Sequence, residues 1–200
     1  MRALEIETPR GPARAHLHPA ENPVGALALG HGAGGGVEAP DLRATTEVAV
    51  SEGFSVALVE QPYEVAGRRS SPPAPHLDEA WRAVVEHLGG GELRGLPLIS
   101  GGRSAGARVA CRTAADTAAV AVLCLAFPLH PPGRPEKSRQ DELDAVKVPT
   151  LVVQGEKDPF GMPKAGSNHT LVTVKGNHGL KADLDAVAEA VRGWLPSVGD

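Results

Sequence analysis

The residues best suited to chemistry in this chain stand in two glycine-rich turns and two short polar loops. The sharper turn is Gly102-Arg103-Ser104-Ala105-Gly106, with an apolar run before it and a helical pattern after it. A G-x-S-x-G spacing between strand and helix sets a serine on a tight turn, with small residues where the backbone must approach its neighbours. The serine Oγ then stands above the sheet edge, beside a helix N-terminus that favours developing negative charge. The rival reading is a glycine-rich turn whose serine only caps the helix. The second turn is Leu29-Gly30-His31-Gly32-Ala33-Gly34-Gly35-Gly36. A hydroxyl that attacks a carbonyl creates an oxyanion, which needs two fixed N–H donors. One would come from Ala105, the residue after the serine, and the other from this loop, from Ala33 or failing that Gly34. A phosphate cradle is the alternative for the loop, but no G-K-[ST] follows it. His31 is either a base or, inside the glycine turn, a residue that shapes it; the second reading is preferred.

Elements at several points along the chain must position these turns. Apolar runs rich in Val, Ile and Leu cover residues 3–7, 13–18, 25–30, 54–60, 96–100, 118–125, 150–154 and 170–174. The first two alternate apolar and polar residues around Pro9-Arg10-Gly11-Pro12, as a hairpin does. The later runs are nearly continuous in apolar residues, as expected of strands covered on both faces. Segments with a period near 3.6 lie between them at 41–51, 76–88, 105–115 and 180–195. Strands alternating with helices demand right-handed crossovers and a mostly parallel sheet. The stretch 127–140, with four prolines, reads as a loop. Without repeats or linkers, the expectation is one α/β domain over residues 1–200.

Composition narrows the function classes. The chain has 200 residues, 42% hydrophobic and 22% charged, which is globular rather than disordered. A net charge of -4 does not favour phosphate backbones, so nucleic acid is not an expected partner. The longest apolar stretch, 118–127, is about half of what a membrane helix needs, so no membrane association is expected. The start, MRALEIETPR, has no apolar core of a secretory signal, and the expected location is cytoplasmic. Cys111 and Cys124 are too few for a disulfide framework or a zinc site and read as small core residues.

With these motifs in order, the sequence resembles the α/β-hydrolase fold. HGAGGG, GGRSAGARVA, FPLHPPGRPEKSRQ, GEKDPFG and GNHGL resemble more narrowly a group of small, capless, dienelactone-hydrolase-like proteins. That group is related to the hydrolase-like region of the third subunit of the NSL histone-acetyltransferase complex. The resemblance implies an eight-stranded, mostly parallel sheet flanked by helices, with strand two antiparallel and no cap domain. It also implies a serine, an acid and a histidine acting together in that chain order.

The acid must lie at the carboxyl end of a strand after the serine. Leu125 to His130 offers no carboxylate; Gly155-Glu156-Lys157-Asp158-Pro159 offers two. Asp158 matches the family position, whereas Glu156 reads as solvated surface. The base must follow the last strand, where Gly176-Asn177-His178-Gly179 supplies His178; His16, His18, His76, His87 and His169 read as surface residues. Expected catalytic residues are therefore Ser104, Asp158 and His178, with Ala33 and Ala105 as oxyanion donors. Only about 25 residues separate the sixth and seventh strands, too few for a cap, so the site should be open under Phe127-Pro128-Leu129-His130-Pro131-Pro132. Expected substrate contacts are Gly34, Arg103, Leu129, His130 and Phe160. Arg103 either binds an acidic substrate group or forms a salt bridge on the turn, and His130 either touches substrate or shapes its loop. The segment between Asp158 and the last strand is too short for a full crossover helix.

The expected activity is serine hydrolysis of small carboxylic esters or thioesters through an acyl-enzyme, with no metal or organic cofactor. The alternatives are a small serine peptidase and a catalytically silent scaffold that binds a protein partner.

Overall fold

Eight strands form one sheet in the order β1-β2-β4-β3-β5-β6-β7-β8. The structure, a computed structural model, describes residues 2–195. The strands are β1 Arg2–Ile6, β2 Ala13–His18, β3 Gly25–Gly30, β4 Phe54–Glu60, β5 Leu98–Arg103, β6 Ala121–Leu125, β7 Thr150–Gly155 and β8 His169–Val174. β2 runs antiparallel to both β1 and β4, and every pairing from β4 to β8 is parallel. The helices are α1 Pro40–Ser51, α2 Pro62–Val65, α3 Ala74–Gly90, α4 Ala105–Thr113, α5 Gln140–Asp144 and α6 Leu184–Trp194. Between β6 and β7 lie only a loop and α5, so no cap covers the sheet edge.

Alternate residues of the buried strands feed two cores, as the pleat requires. Leu27, Leu29, Val56, Leu58, Ile99, Leu123, Leu151 and Val153 face α1 and α6, meeting Leu42, Val48, Val187 and Val191. On the other face Ala26, Ala28, Ala57 and Val59 pack under α3, whose Leu77, Trp81, Val84, Val85 and Leu88 recur at helical spacing. Further along that face Val122, Cys124 and Val152 meet Ala107 and Ala110 of α4 and Leu143 of α5.

Several boundaries differ from those expected. β5 continues to Arg103, so the glycines of the turn belong to the strand itself. β6 begins at Ala121, because Ala118 has a positive φ of 50° and turns the chain first. α6 begins at Leu184 rather than residue 180: the Asp183 carboxylate accepts the Ala186 N–H at 3.1 Å and caps the helix there. α2 and α5, of 4 and 5 residues, are too short to show a helical period in sequence. No helix forms between Asp158 and β8. His169, expected at the surface, is buried, with its Nε2 2.9 Å from the Lys164 carbonyl.

Backbone packs closely on backbone where β3, β5 and α4 meet. A Cβ on Gly106 would stand 2.5 Å from the Gly30 carbonyl oxygen, and one on Gly102 would stand 2.6 Å from the same atom. The α4 backbone thus rests directly on β3, and only glycine fits. Gly106→Ala should therefore destabilise by about 1–3 kcal/mol through overpacking. Gly89→Ala, in the last turn of α3 with nothing within 4 Å, should be stabilising by about 0.5–1 kcal/mol. Urea denaturation of both variants checks the contrast; equal effects would contradict the close approach.

Candidate active site

Because β3 and β5 to β8 are parallel, their carboxyl ends open at one edge of the sheet, where loops converge. Ser104 follows β5 in the left-handed region, at φ 53° and ψ -109°, a strained conformation for a residue with a side chain. Its own N–H donates to the Leu125 carbonyl at 2.9 Å, which ties the turn to β6. Its side chain makes no capping bond to α4. The hydroxyl oxygen instead lies 2.8 Å from His178 Nε2, and His178 Nδ1 lies 2.8 Å from Asp158 Oδ2. A carboxylate can only accept, so Nδ1 carries the proton and Nε2 is free to accept the Ser104 O–H.

Each member of this row is held from behind. The Asp158 side chain is fully buried, at 0% exposure. Its Oδ1 accepts the Phe160 N–H at 2.8 Å, and its Oδ2 accepts from Gln154 Nε2 at 2.9 Å. The same Gln154 nitrogen reaches the carbonyls of Phe127 at 3.0 Å and Gly161 at 2.9 Å, binding the loop after β6 to the loop after β7. The Phe160 ring packs against the His178 imidazole with centroids 4.3 Å apart. Gly155 brings the loop of His178 against the end of β7, since a Cβ there would stand 2.5 Å from the Asn177 carbonyl oxygen. Glu156, the other carboxylate of that loop, is exposed and lies 3.8 Å from Lys157.

The first glycine loop lies against the serine: a Cβ on Gly32 would stand 3.5 Å from Ser104 Cβ. His31 is buried and takes the structural part. Its Nε2 accepts the Gln61 N–H at 3.0 Å, which leaves Nδ1–H to donate to the Gly32 carbonyl at 2.8 Å. The N–H groups of Ala33 and Ala105 make no hydrogen bond among the described residues, whereas that of Gly106 donates to the His31 carbonyl at 3.1 Å. Both Ala33 and Ala105 line a groove of about 510 Å³ that also holds Ser104, His178, Gly34 and Phe160. A larger cavity, about 640 Å³, opens beside α3 and the start of β5 and contains none of these side chains.

Of the expected substrate contacts, Gly34, Arg103 and Phe160 line the groove. Leu129 and His130 are not part of the groove lining; only Pro128 and Pro132 of their segment are. The His130 N–H donates to the Phe160 carbonyl at 3.1 Å, and its Nδ1 lies 2.9 Å from the Pro131 carbonyl oxygen. Both side chains pack over Gly161, where an added Cβ would meet His130 at 2.9 Å and Leu129 at 3.1 Å. Arg103 lines the groove but its charge is engaged. Nε donates to Asp41 Oδ2 at 2.9 Å and Nη2 to the His178 carbonyl at 3.0 Å. Of its two readings, the salt bridge is the one the structure contains.

Asp41 and Gln154 do not stand out in the sequence as site residues, yet both are buried polar residues, Gln154 on Asp158 and Asp41 on Arg103. A glutamine in the otherwise apolar Leu151-Val152-Val153-Gln154 was the available signal for one. Asp41, in the first turn of α1, reads as an ordinary helix-start acid. Among the described residues no cluster of three metal-ligating side chains exists, and no helix is long and apolar enough to cross a membrane. Cys111 and Cys124 are buried with sulfurs 3.5 Å apart; the hydrogen bond from Cys111 and then burial hold the Cys124 thiol well above its usual pKa.

Burial raises the pKa of the Asp41 carboxyl, with the Arg103 charge working against that rise. A carboxyl whose pKa is higher folded than unfolded gains stability from protonation as pH falls. Arg103→Met removes the opposing charge and should cost about 3–5 kcal/mol at neutral pH by leaving a buried carboxylate alone. The cost should shrink as Asp41 protonates at lower pH, and Asp41→Asn in the same background should restore most of it. Denaturation of the variants at several pH values measures this; a cost independent of pH would contradict it.

A family model for the alpha/beta hydrolase domain matches residues 23–184. Solved structures of similar fold include a lidless serine hydrolase from Xanthomonas campestris, at 20% identity and a TM-score of 0.80 over 98% of this chain and 94% of that one. Est1E from Butyrivibrio proteoclasticus is 18% identical, with a TM-score of 0.80 over 99% of each chain. A dienelactone hydrolase from Anabaena variabilis is 19% identical, with a TM-score of 0.79 over 98% of this chain and 96% of that one. The eight-stranded sheet, its single antiparallel hairpin and the match over most of the sequence agree: the chain belongs to the alpha/beta hydrolase domain family.

Proposed function

We propose that the protein is a serine hydrolase of small carboxylic esters or thioesters, with Ser104 as nucleophile, His178 as base and Asp158 as the acid that orients it. The observation that carries this reading is the unbroken row from Ser104 Oγ through His178 to Asp158, with both hydrogen bonds at 2.8 Å. Ser104 Oγ attacks the ester carbonyl carbon as its proton passes to His178 Nε2. The carbonyl oxygen becomes an oxyanion received by the N–H groups of Ala105 and Ala33, each donor contributing about 3 kcal/mol. Collapse breaks the bond to the leaving group, which takes the proton from Nε2 and departs as alcohol or thiol. Water then attacks the acyl-enzyme with His178 again accepting a proton, and the acid is released with Ser104 restored. Asp158 stays ionised throughout and stabilises the imidazolium.

Neither a metal nor an organic cofactor has a part in this sequence of steps. The groove is not covered by a cap, which favours short or compact acyl groups reached directly from solvent. A silent scaffold would have no need of a strained serine aligned with an imidazole or of two unengaged amides beside it.

With 4-nitrophenyl esters of graded chain length, Ser104→Ala, His178→Ala and Asp158→Asn should each lower kcat about 10⁴-fold or more. Undiminished turnover in Ser104→Ala would overturn the assignment.

A further inference from the structure

Four arginines line the groove that contains Ser104, and no carboxylate does. Arg103, Arg108 and Arg112 have acids behind them. Asp41 lies 2.9 Å from Arg103, Glu142 receives Arg108 through two bonds of 2.8 and 2.5 Å, and Asp78 receives Arg112 through bonds of 2.8 and 2.6 Å. Glu142 also lies 3.5 Å from Arg112. These three guanidiniums are therefore fixed and largely compensated. Arg139 differs. Its Nη1 donates to the Pro128 carbonyl at 3.1 Å, and among the described residues no carboxylate oxygen lies within 4.0 Å of it. Pro128 lines the same groove, so this bond holds the guanidinium at the wall, with the remaining N–H groups unpaired.

The geometry points to Arg139 as an anion-recognising residue, and to esters or thioesters that carry a second anionic group, a carboxylate or a phosphate, as the substrate class. The substrate half of this inference rests on the serine hydrolase reading; the anion subsite does not. A planar guanidinium with free N–H groups offers the paired donors that a carboxylate or phosphate accepts. The surroundings leave that charge in want of a counter-ion. Burial, followed by the charge of Arg108, pulls the Arg139 pKa below its ordinary value, and Glu142 offsets this only in part. An anion beside it relieves that condition, and an ester bound through this group has its carbonyl in the groove that holds Ser104. The acidic-group role that the sequence allowed for Arg103 thus moves to a residue of the proline-rich segment. Arg103 is pinned between Asp41 and the His178 loop, while Arg139 lines the same groove with no carboxylate oxygen within 4.0 Å among the described residues.

The test compares mono(4-nitrophenyl) esters of succinate, glutarate and adipate with neutral 4-nitrophenyl esters of matched length. The wild-type protein should favour at least one acidic ester by tenfold or more in kcat/KM, and the preference should weaken with added salt. In Arg139→Gln the acidic-to-neutral ratio should fall tenfold or more through KM, and Arg139→Lys should retain part of it. A wild-type ratio of one or below, or an equal loss for both esters in Arg139→Gln, would overturn the inference; an equal loss is the mark of a purely structural bond to Pro128. Calorimetric titration with glutarate, and separately with inorganic phosphate, reads the subsite without turnover and tells the two anions apart. Binding of either, weakened tenfold or more in Arg139→Gln, supports the subsite, and binding of neither contradicts it. Absence of turnover on every ester beside such binding would sink the esterase reading alone. Turnover without preference, beside no binding, would sink the anion subsite alone.

Discussion

A serine hydroxyl gives up its proton usefully only if a base waits at hydrogen-bond distance, and here the imidazole that stands there is 74 positions away in the chain. Holding that 2.8 Å contact is the demand that organises the rest of the molecule. Neither partner is positioned by its own loop alone. Ser104 is set by a strand that continues into the turn and by a helix packed on the neighbouring strand at glycine distance. His178 is set by the loop after an edge strand, and such a loop has few neighbours to restrain it. The restraint comes from two sides: Asp158 on the ring and Arg103 on the backbone carbonyl. Arg103 is adjacent in sequence to Ser104, so Ser104 and His178 are tied through one residue of the turn.

Behind these contacts stand buried polar groups that would be liabilities if unpaired. Asp41 is tolerated because Arg103 reaches it, and Asp158 because Gln154, the Phe160 amide and His178 surround it. Such networks are worth most when complete, since removing one partner strands a desolvated charge. The arrangement therefore links stability to the geometry of the site. The glycines act in the same sense, letting Gly30, Gly102 and Gly106 bring backbone against backbone where a methyl group would force the turn open.

Much of this architecture is legible from the residues in order, because its signals are local. The alternation of apolar runs with helical periods marks the parallel sheet, and three strands begin and end where their sequences say. The G-x-S-x-G turn and the glycine loop announce themselves within a few residues, and the polar loops after β7 and β8 stand out against the apolar runs before them. What is not legible depends on partners distant in sequence. Arg103 and Asp41 are 62 positions apart, and nothing near either residue tells that they meet. Leu129 and His130 belong to a segment that looks like a roof, but their pairing with the turn at Phe160 and Gly161 draws them off the groove. Arg139 is one cation among twenty until its neighbours are seen to be paired and it is not. The short helices α2 and α5 escape for a different reason, because one turn carries no period.

The claim beneath all of this is that Ser104 is made nucleophilic by the base beside it. Intact-protein mass spectrometry after treatment with a fluorophosphonate measures that directly. The account predicts a single adduct per chain, mapped to Ser104, absent in Ser104→Ala and formed far more slowly in His178→Ala. An adduct on another residue, or equal labelling with and without the imidazole, would contradict it.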